Sequence, residues 1–359
     1  MKYNTDFLKI YLNNYLSENK DNNFLSEYIH KIPDRFYRFR TCKQVEFESI
    51  DQNYIWLSLA SEFYDVKDST IKYNLDSQRE AIFDIYLEWL PYIMKNEMSS
   101  KKHGIAFSNL VLNKNIINEY KQNIIDNNHV INNNKLRIYL LSKGLKSNQA
   151  NIIISHLDTI ISSEAAKEKA DQIIENFKIK MQELKDFYYV SCFTESYEND
   201  NLWETYADKY SGFCIEYDFN PERKKNLKDL LYNFAPMVYE ERKAINLIDI
   251  FSVAKKHYCG EIYDKSIIHD IDITMNLHSR TKGITYDHEK EWRLYQKIDT
   301  VENRKLNFPY ISKIILGKDI KARNKSRLIN LAIKHDFEVY QQEYNVFTSS
   351  FTYYRIDKT

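Results

Sequence analysis

Two carboxylates and a guanidinium recur at every second position late in the chain, at Glu289, Glu291 and Arg293. Alternate side chains of a β-strand point to the same face, so this spacing predicts one strand over 286–294 with all three charges together. Such charges are costly in a core unless each finds a partner, whereas a cleft lined with them stabilises a cation or grips a sugar. The alternative is an edge strand whose charged face lies in water.

Composition indicates a soluble globular protein and excludes two common nucleotide sites. Of the 359 residues, 43% are apolar and 28% are charged, and 51 basic residues balance 51 acidic ones. Zero net charge implies no general attraction to nucleic acid or to an anionic membrane. The glycines lie too far apart for a dinucleotide-binding G-x-G-x-x-G turn or a P-loop: Gly104, Gly144, Gly212, Gly260, Gly283 and Gly317.

Cysteine spacing and the ends of the chain predict a cytoplasmic protein. The four cysteines contain no C-x-x-C pair, which argues against a zinc finger and against a disulfide scaffold: Cys42, Cys192, Cys214 and Cys259. Residues 1–20 lack the apolar core of a signal peptide, and no apolar run is long enough to span a bilayer. We therefore expect a reducing compartment and no membrane association.

Metal-dependent and serine-hydrolase chemistry is disfavoured by the same kind of spacing argument. His288 precedes Glu289 but no second histidine follows four residues later, as a zinc protease requires. No histidine and cysteine set has the spacing of a four-ligand site, and no serine lies in a G-x-S-x-G elbow. We expect no metal.

The elements that would position the charged residues form a strand-rich core interrupted by helices. Alternation predicts strands at 36–40, 54–59, 188–195, 213–219, 237–239, 286–294, 311–317 and 337–340. Helical periodicity covers 3–20, most of 77–184 and about 243–280, and Asn220-Pro221 predicts a further helix start. The fold class is therefore α+β, with an N-terminal helix at 1–30, a core at 31–75 and 186–359, and a helical insertion at 76–185.

Four motifs occur in an order that resembles the domain of unknown function 2971 family, a bacterial group discussed alongside defence and toxin genes. They are Tyr37-Arg38-Phe39-Arg40, Cys192-Phe193-Thr194-Glu195, Trp203-x-x-Tyr206-Ala207-Asp208 with Gly212-Phe213-Cys214-Ile215-Glu216, and Glu289-x-Glu291-Trp292-Arg293-Leu294. The resemblance spans roughly residues 35 to 317. The chain departs from the family at Phe63-Tyr64-Asp65-Val66, where F-N-D-P is typical, and at Thr194, where serine is usual.

The motif order is also similar to the R-S-E pattern of ADP-ribosyltransferases, which have an early arginine strand, a middle Ser/Thr strand and a late E-x-E strand. That similarity implies a mixed or antiparallel split sheet with an ADP-ribosyltransferase-like core. It also implies NAD as substrate and transfer of ADP-ribose to an unknown macromolecular acceptor, protein or nucleic acid. A fold alone does not establish a function, so the site residues have to carry the case.

The resemblance assigns a role to each candidate. Glu291 would stabilise the ribosyl cation, Glu289 would position or deprotonate the acceptor, and Arg38 would bind a phosphate or ribose with its forked donors. The other implied cofactor-binding residues offer hydroxyls for the ribose, flat rings for nicotinamide and a guanidinium: Ser191, Thr194, Tyr37, Trp203, Tyr206 and Arg293.

The competing hypothesis is a non-catalytic module that senses or binds a partner, such as an antitoxin or another defence protein. In that case Arg38 pairs with one of the glutamates, Thr194 ends a strand with a hydrogen bond, and Trp203 and Tyr206 pack in the core. Geometry separates the two hypotheses. The enzyme requires Arg38, Thr194 and Glu291 around one open cleft, whereas a buried and mutually satisfied cluster favours the module.

Overall fold

The computed structural model describes residues 3–17, 21–63, 68, 132–142, 144–148, 150–151, 154–155, 172, 175–176, 179, 188–241, 265–297 and 304–357. The chain divides into two compact units. Unit 1 comprises Met1–Ile71, Glu183–Arg242 and Asp272–Thr359, and unit 2 comprises Lys72–Gln182 and Lys243–Ile271. Of the helices predicted over most of 77–184, the one closed by Gly144 is found at Asn133–Ser142, and most of the rest lies outside the described residues, as does the helix predicted over 243–264.

The strands of the described part are short to medium in length, and all of them lie in unit 1. They are β1 (Arg35–Arg40), β2 (Tyr54–Trp56), β3 (Ser58–Leu59), β4 (Tyr188–Thr194), β5 (Phe213–Asp218), β6 (Phe234–Pro236), β7 (Val238–Tyr239), β8 (Thr281–Lys282), β9 (Glu291–Lys297), β10 (Lys305–Asn307), β11 (Ile311–Leu316), β12 (Glu338–Asn345) and β13 (Ser350–Arg355).

The helices of the described part lie between these strands. They are α1 (Thr5–Leu16), α2 (Asn22–Lys31), α3 (Gln44–Asp51), α4 (Asn133–Ser142), α5 (Asp200–Tyr206), α6 (Pro221–Asn226), α7 (Lys228–Tyr232), α8 (Lys265–Ser279) and α9 (Ala322–His335), with 3-10 helices at Ala60–Glu62 and Ile284–Glu289. The predicted start at Asn220 is confirmed, because its side chain accepts a hydrogen bond from the Arg223 backbone N–H at 3.0 Å and Pro221 occupies the first turn.

Unit 1 is built on a mixed sheet of nine strands. The main path runs β13-β12-β11-β5-β1-β4-β9-β6, and β3 pairs with β4 outside this path. Strands β11 and β12 are parallel, and the other neighbouring pairs are antiparallel. Strands alternate with helices of both short and medium length, so the α+β class is confirmed.

The cross-strand register places the candidate residues on two different faces of the sheet. Tyr37 of β1 lies opposite Thr194 of β4, and Thr194 lies opposite Glu291 of β9. These three residues share what we call the carboxylate face. Side chains alternate along a strand, so Arg38 and Phe193 point to the other side, which we call the aromatic face.

The aromatic face carries the larger apolar core. Phe36 stacks on Phe234 with ring centroids 5.2 Å apart and meets Trp292 edge-on at 5.6 Å. Helix α1 adds Leu8, Tyr11 and Leu12 to the same core, in keeping with its amphipathic spacing. Clusters of aromatic rings bury large areas, so this face supplies most of the apolar burial around the sheet.

The predicted strand over 286–294 is wrong in its first half. Residues Ile284–Glu289 form a 3-10 helix, and β9 begins only at Glu291. Between them, Lys290 adopts a left-handed conformation with φ 44° and ψ 49°. A left-handed residue ends the alternation of an extended chain, so Glu289 does not share a strand with Glu291.

Candidate functional site

Five buried charged side chains meet where β9 begins, and we call them the charge cluster: Asp68, Lys282, Glu289, Glu291 and Arg293. Arg293 Nε lies 2.6 Å from Glu291 Oε1, and Arg293 Nη2 lies 2.6 Å from Asp68 Oδ2. Lys282 Nζ lies 2.6 Å from Glu291 Oε2 and 2.8 Å from Glu289 Oε2. Each carboxylate therefore has a cation partner, and each cation has at least two carboxylates.

The backbone around β9 holds the cluster in place from several sides. Strand β9 puts Glu291 and Arg293 on one face, and β8 ends at Lys282. The Tyr239 phenol of β7 accepts a hydrogen bond from the Glu291 backbone N–H at 2.7 Å. Thr194 Oγ1 donates to the backbone carbonyl of Glu289 at 2.6 Å, which fixes the 3-10 helix against β4. The Thr194 hydroxyl proton is thereby committed to the backbone.

The pKa values of the two glutamates in the cluster shift in opposite directions. Burial alone would raise the pKa of Glu291, but Arg293 and then Lys282 lower it below its ordinary value. For Glu289, burial raises the pKa, and the nearby charge of Glu291 adds to the rise against the attraction of Lys282. The cluster holds three acids and two bases, so one negative charge is in excess. The excess raises the pKa of the less strongly paired acid, Glu289.

The pKa values of both bases are raised by the carboxylates. Burial would lower the pKa of Arg293, but Glu291 and Asp68 raise it well above its ordinary range. The pKa of Lys282 is likewise raised, chiefly by Glu291 against the effect of burial. Both side chains are therefore charged throughout the accessible pH range.

Aromatic rings border the cluster. The Phe63 ring centroid lies 5.1 Å from Arg293 Cζ, and the Tyr286 centroid lies 5.6 Å from Lys282 Nζ. Tyr206 is 49% exposed and is close enough to Glu289 to feel its charge. Partial burial, together with the charge of Glu289, raises the pKa of Tyr206 to about 12. Tyr206 is therefore placed beside the cluster and not in the core.

The remaining sequence-derived candidates on the carboxylate face have structural contacts. Trp203 is fully buried, donates Nε1–H to the Tyr197 carbonyl at 2.8 Å and stacks on Tyr210 with centroids 5.9 Å apart. Tyr37 donates its phenol proton to Glu216 Oε2 at 3.0 Å. Both side chains are therefore held by structural contacts.

Two candidates lie on the aromatic face, away from the carboxylates. Ser191 lies opposite Leu294 and donates to the Trp56 carbonyl across 3.4 Å. The guanidinium of Arg38 lies 5.1 Å from the Phe193 ring centroid. The expected convergence of Arg38 with Thr194 and Glu291 around one cleft is therefore not found, because the sheet separates them.

Lys282 and Asp68 were missed by sequence reasoning. Lys282 precedes Glu289 by seven residues, and a lysine this close to an E-x-E pattern is a usable signal for a compensating charge. Asp68 is 225 positions from Arg293, and no local pattern connects the two. A second buried carboxylate was missed as well, since Glu216 accepts from Ser312 at 2.9 Å and pairs with Lys313 at 3.1 Å.

The sequence motif around Trp203 has a steric explanation. Residues 208, 209 and 210 follow one another in left-handed conformation, with φ of 49°, 52° and 65°, and turn the chain back toward β5. A Cβ at Gly212 would lie 2.2 Å from the Arg40 carbonyl oxygen, so only glycine fits where this turn meets β1. The motif thus fixes a tight turn between α5 and β5.

The described ranges contain neither a metal-ligand group nor a membrane-spanning helix. Within those ranges no group of three or more histidine, cysteine, aspartate or glutamate side chains has the geometry to hold a metal ion. Likewise, none of the described helices is both long and apolar enough to cross a membrane.

Comparison with known proteins finds a family model that matches part of the chain. No curated protein and no solved structure matches this chain. The motifs at Trp203 and at Glu289–Leu294 fall inside the segment 202–294, which a family model matches. The motifs at Arg38 and Cys192 fall outside that segment. Residues 202–294 match the family model described as "Protein of unknown function (DUF2971)", which confirms over that segment the resemblance drawn from the motifs.

Proposed function

We propose that this chain is a non-catalytic module that binds a protein partner, and that its charge cluster is structural. The observation that carries the proposal is that the buried charges of the cluster are paired with one another. Its members are buried. Both carboxylate oxygens of Glu291 contact Arg293 or Lys282, and Oδ2 of Asp68 contacts both of these cations. A network of this kind fixes the position of a loop and a strand end, provided that every member is satisfied.

Glu291 illustrates why the arrangement supports a structural role. Oε1 accepts from Arg293 Nε at 2.6 Å, while Oε2 faces Lys282 Nζ at 2.6 Å and Arg293 Nη2 at 3.3 Å. A carboxylate that stabilises a ribosyl cation must turn an oxygen toward the sugar. Here both oxygens are engaged by bases that stay charged, and only 6% of the residue is exposed.

Partner binding is supported by the hairpin of β12 and β13. β13 ends the main path of the described sheet, so its outer edge offers backbone hydrogen-bonding groups. At the tip, Phe347 is 96% exposed and Val346 is also largely exposed, with Tyr344 and Tyr354 half exposed nearby. Contiguous exposed apolar side chains beside a sheet edge are typical of protein-binding surfaces. An antitoxin or another defence protein, as the resemblance implies, would fit such a surface.

A second candidate function, ADP-ribosyl transfer, is favoured by two observations. The strands that carry Arg38, Thr194 and Glu291 are immediate neighbours, in the order β1, β4, β9. Glu289 and Glu291 both contact the Lys282 ammonium, and their pKa values shift in opposite directions. Two neighbouring carboxylates with separated pKa values are what glycosyl-transfer chemistry uses as acid and base. The ADP-ribosyltransferase-like core, NAD as substrate and the roles of Glu291 and Glu289 in transfer accordingly stay predictions.

One experiment decides between the two candidates. The purified protein is incubated with labelled NAD, alone and with cell extract as a source of acceptors, and released nicotinamide and transferred label are measured. The module predicts no signal above that of the Glu291→Gln variant and a lower melting temperature for that variant. Turnover that Glu291→Gln abolishes at an unchanged melting temperature would overturn the proposal and establish the enzyme.

A further inference from the structure

A dense run of positive charge leads into α9 and covers its first two turns. Residues 318–327 contain five lysine or arginine side chains and one acid, Asp319, whereas the whole chain has 51 residues of each sign. We call this run the basic segment, and its cations are Lys318, Lys321, Arg323, Lys325 and Arg327. Asp319 pairs with its neighbour Lys318. The rest of the positive charge has no acid close by in the sequence.

The position of these cations does not stabilise the helix. The N-terminal end of a helix carries partial positive charge, so acids are favourable there and cations are not. The first turn of α9 has no acidic residue, and Lys321 occupies the N-cap without a side-chain hydrogen bond. The helix is held instead by its apolar side, where Leu328 and Ala332 are buried. The fold therefore gains nothing from the charge of the basic segment.

The acids of the neighbouring helix α3 do not neutralise the basic segment. Helix α9 packs against α3, but Glu46 of α3 pairs with Arg40 of β1 at 3.2 Å. Asp51 of α3 pairs with His335 at 3.1 Å, at the opposite end of α9. The carboxylates nearest to α9 are thus engaged by cations outside the basic segment.

Three cations of the basic segment are exposed and have no recorded carboxylate partner among the described residues: Lys321, Arg323 and Arg327. The guanidinium of Arg327 lies over the ring of Phe47, with Cζ 4.1 Å from the centroid. Lys325 donates to Gln341 Oε1 at 3.0 Å. The result is an exposed surface whose charge the described part of the chain leaves uncompensated.

We propose that the basic segment is a docking surface for the phosphate backbone of a nucleic acid. Lysine and arginine side chains supply most of the contacts that proteins make with phosphate oxygens. From Lys321 to Arg327 the helix axis advances about 9 Å. A nucleic acid strand presents a phosphate about every 3.4 Å along its axis, so the exposed cations can contact successive phosphates.

Two other anionic partners fit this surface less well. A helix that binds a membrane surface inserts an apolar face beside its basic one, but the apolar side of α9 is buried in the protein. Residues 318–327 carry no exposed large apolar side chain. The core of a protein interface is depleted in charged residues, so such a surface is also a poor centre for binding an acidic protein. A phosphate backbone requires only the charge.

The experiment measures the fluorescence anisotropy of a labelled DNA duplex and of a labelled single-stranded RNA, both of mixed sequence, titrated with the full chain. Sodium chloride is varied between about 50 and 200 mM. The test variant combines Lys321→Gln with Arg323→Gln. The matched control combines Lys225→Gln with Lys228→Gln, which removes the same charge from exposed positions on α6 and α7.

We expect the wild type to bind at least one of the two probes, with the logarithm of the association constant falling against that of the salt concentration with a slope of about −2 to −3, as about three phosphate contacts require. The test variant should bind at least tenfold more weakly at the lowest salt, with a slope shallower by about 1 for each residue changed. The control should match the wild type. The probe that binds more tightly identifies DNA or RNA as the natural ligand.

Three binding results would overturn the proposal. They are no binding of either probe by the wild type at the lowest salt, an equal loss of affinity in the two double variants, and tighter binding of a different polyanion. The third is tested with vesicles containing phosphatidylserine and with poly-L-glutamate. If either binds the wild type more tightly than the nucleic acids do, and the test variant weakens that binding, the surface serves a membrane or an acidic protein instead.

The melting temperatures of both double variants give a second readout. Removing cations from the first turn of α9 relieves an unfavourable interaction with the helix dipole, so the test variant should melt at or above the wild-type temperature. A lower melting temperature would mean that these cations serve the fold, and the surface would be rejected. Neither measurement involves NAD or the charge cluster, so failure of this inference is separate from failure of the proposed function.

Discussion

Arg293 and Arg38 are both buried arginines on neighbouring parts of one sheet, yet their surroundings differ completely. Arg293 is 1% exposed and is enclosed by two carboxylates on the carboxylate face. Arg38 is 7% exposed on the aromatic face and meets a phenylalanine ring. Burial alone therefore does not indicate what a charged residue does. The informative question is whether the chain itself supplies the opposite charge.

The contrast also explains why motif order was a poor guide to the site. A pattern of arginine, hydroxyl and E-x-E strands treats the three groups as members of one cleft. In the structure Tyr37, not Arg38, shares a face with Thr194, because the two are cross-strand partners. A shift of one residue along a strand exchanges the two faces, so adjacency of strands does not guarantee convergence of side chains.

The largest loss of unfolding free energy is expected when a carboxylate of the charge cluster is neutralised. Glu291→Gln leaves Arg293 and Lys282 short of a counter-charge, and breaking a buried pair in this way costs about 3–5 kcal/mol of unfolding free energy. Urea denaturation at neutral pH measures it. The matched control is Glu338→Gln, which breaks an exposed pair with Arg355 and should cost about 1 kcal/mol or less. Equal losses in the two variants would contradict the comparison.

A smaller effect should appear as coupling within the cluster. Lys282→Met and Glu289→Gln each disturb the network, but the second change removes a charge that the first has left unpaired. The double variant should therefore lose less stability than the sum of the single ones, by about 1–3 kcal/mol. Strict additivity in a double-mutant cycle would show that the two side chains do not interact across their 2.8 Å contact.

The pH dependence of stability should differ in sign between the two glutamates. The lowered pKa of Glu291 contributes stability above the ordinary glutamate value of about 4.3, and this is lost as the pH falls through the folded-state pKa. The raised pKa of Glu289 acts in reverse: stability is lost as the pH rises from about 4.3 through the folded-state value.

The two glutamine variants test these signs. As the pH rises from about 4 to neutral, Glu291→Gln should fall further behind the wild type, and Glu289→Gln should gain on it. Urea midpoints collected across that range measure both trends. Parallel curves for the two variants would show that the acids experience the same environment.

The smallest effect on stability is expected at the hairpin tip. Phe347→Ser changes an exposed side chain, so the unfolding free energy should change by no more than about 0.5 kcal/mol. A photoreactive residue at position 347 should nevertheless give a discrete cross-linked species in cells. The same probe at Ile333, an exposed position on α9, serves as the control, and an identical adduct pattern at both positions would count against the hairpin as the partner surface.

Local patterns predicted the longer central strands but not β6, β8, β10 or β13, and they did not predict contacts between distant residues. Alternation located β1, β4, β5 and β11 within a residue or two, since strand periodicity is a local property. The left-handed Lys290 has no comparable signal, which is why Glu289 was placed on the strand. Asp68 and the choice of face for Arg38 depend on tertiary pairing, which sequence spacing does not encode.

Arg293→Met and Arg38→Met test most directly whether charge matching distinguishes the two arginines. The unfolding free energy of each variant is measured in chloride buffer and compared with that of the wild type. The same chemical change is made at two buried strand positions with different charge balance. We expect Arg293→Met to lose about 3–5 kcal/mol, because Glu291 and Asp68 are left without their shared cation, and Arg38→Met to lose nothing. Equal losses at the two positions would contradict the claim that charge matching distinguishes them.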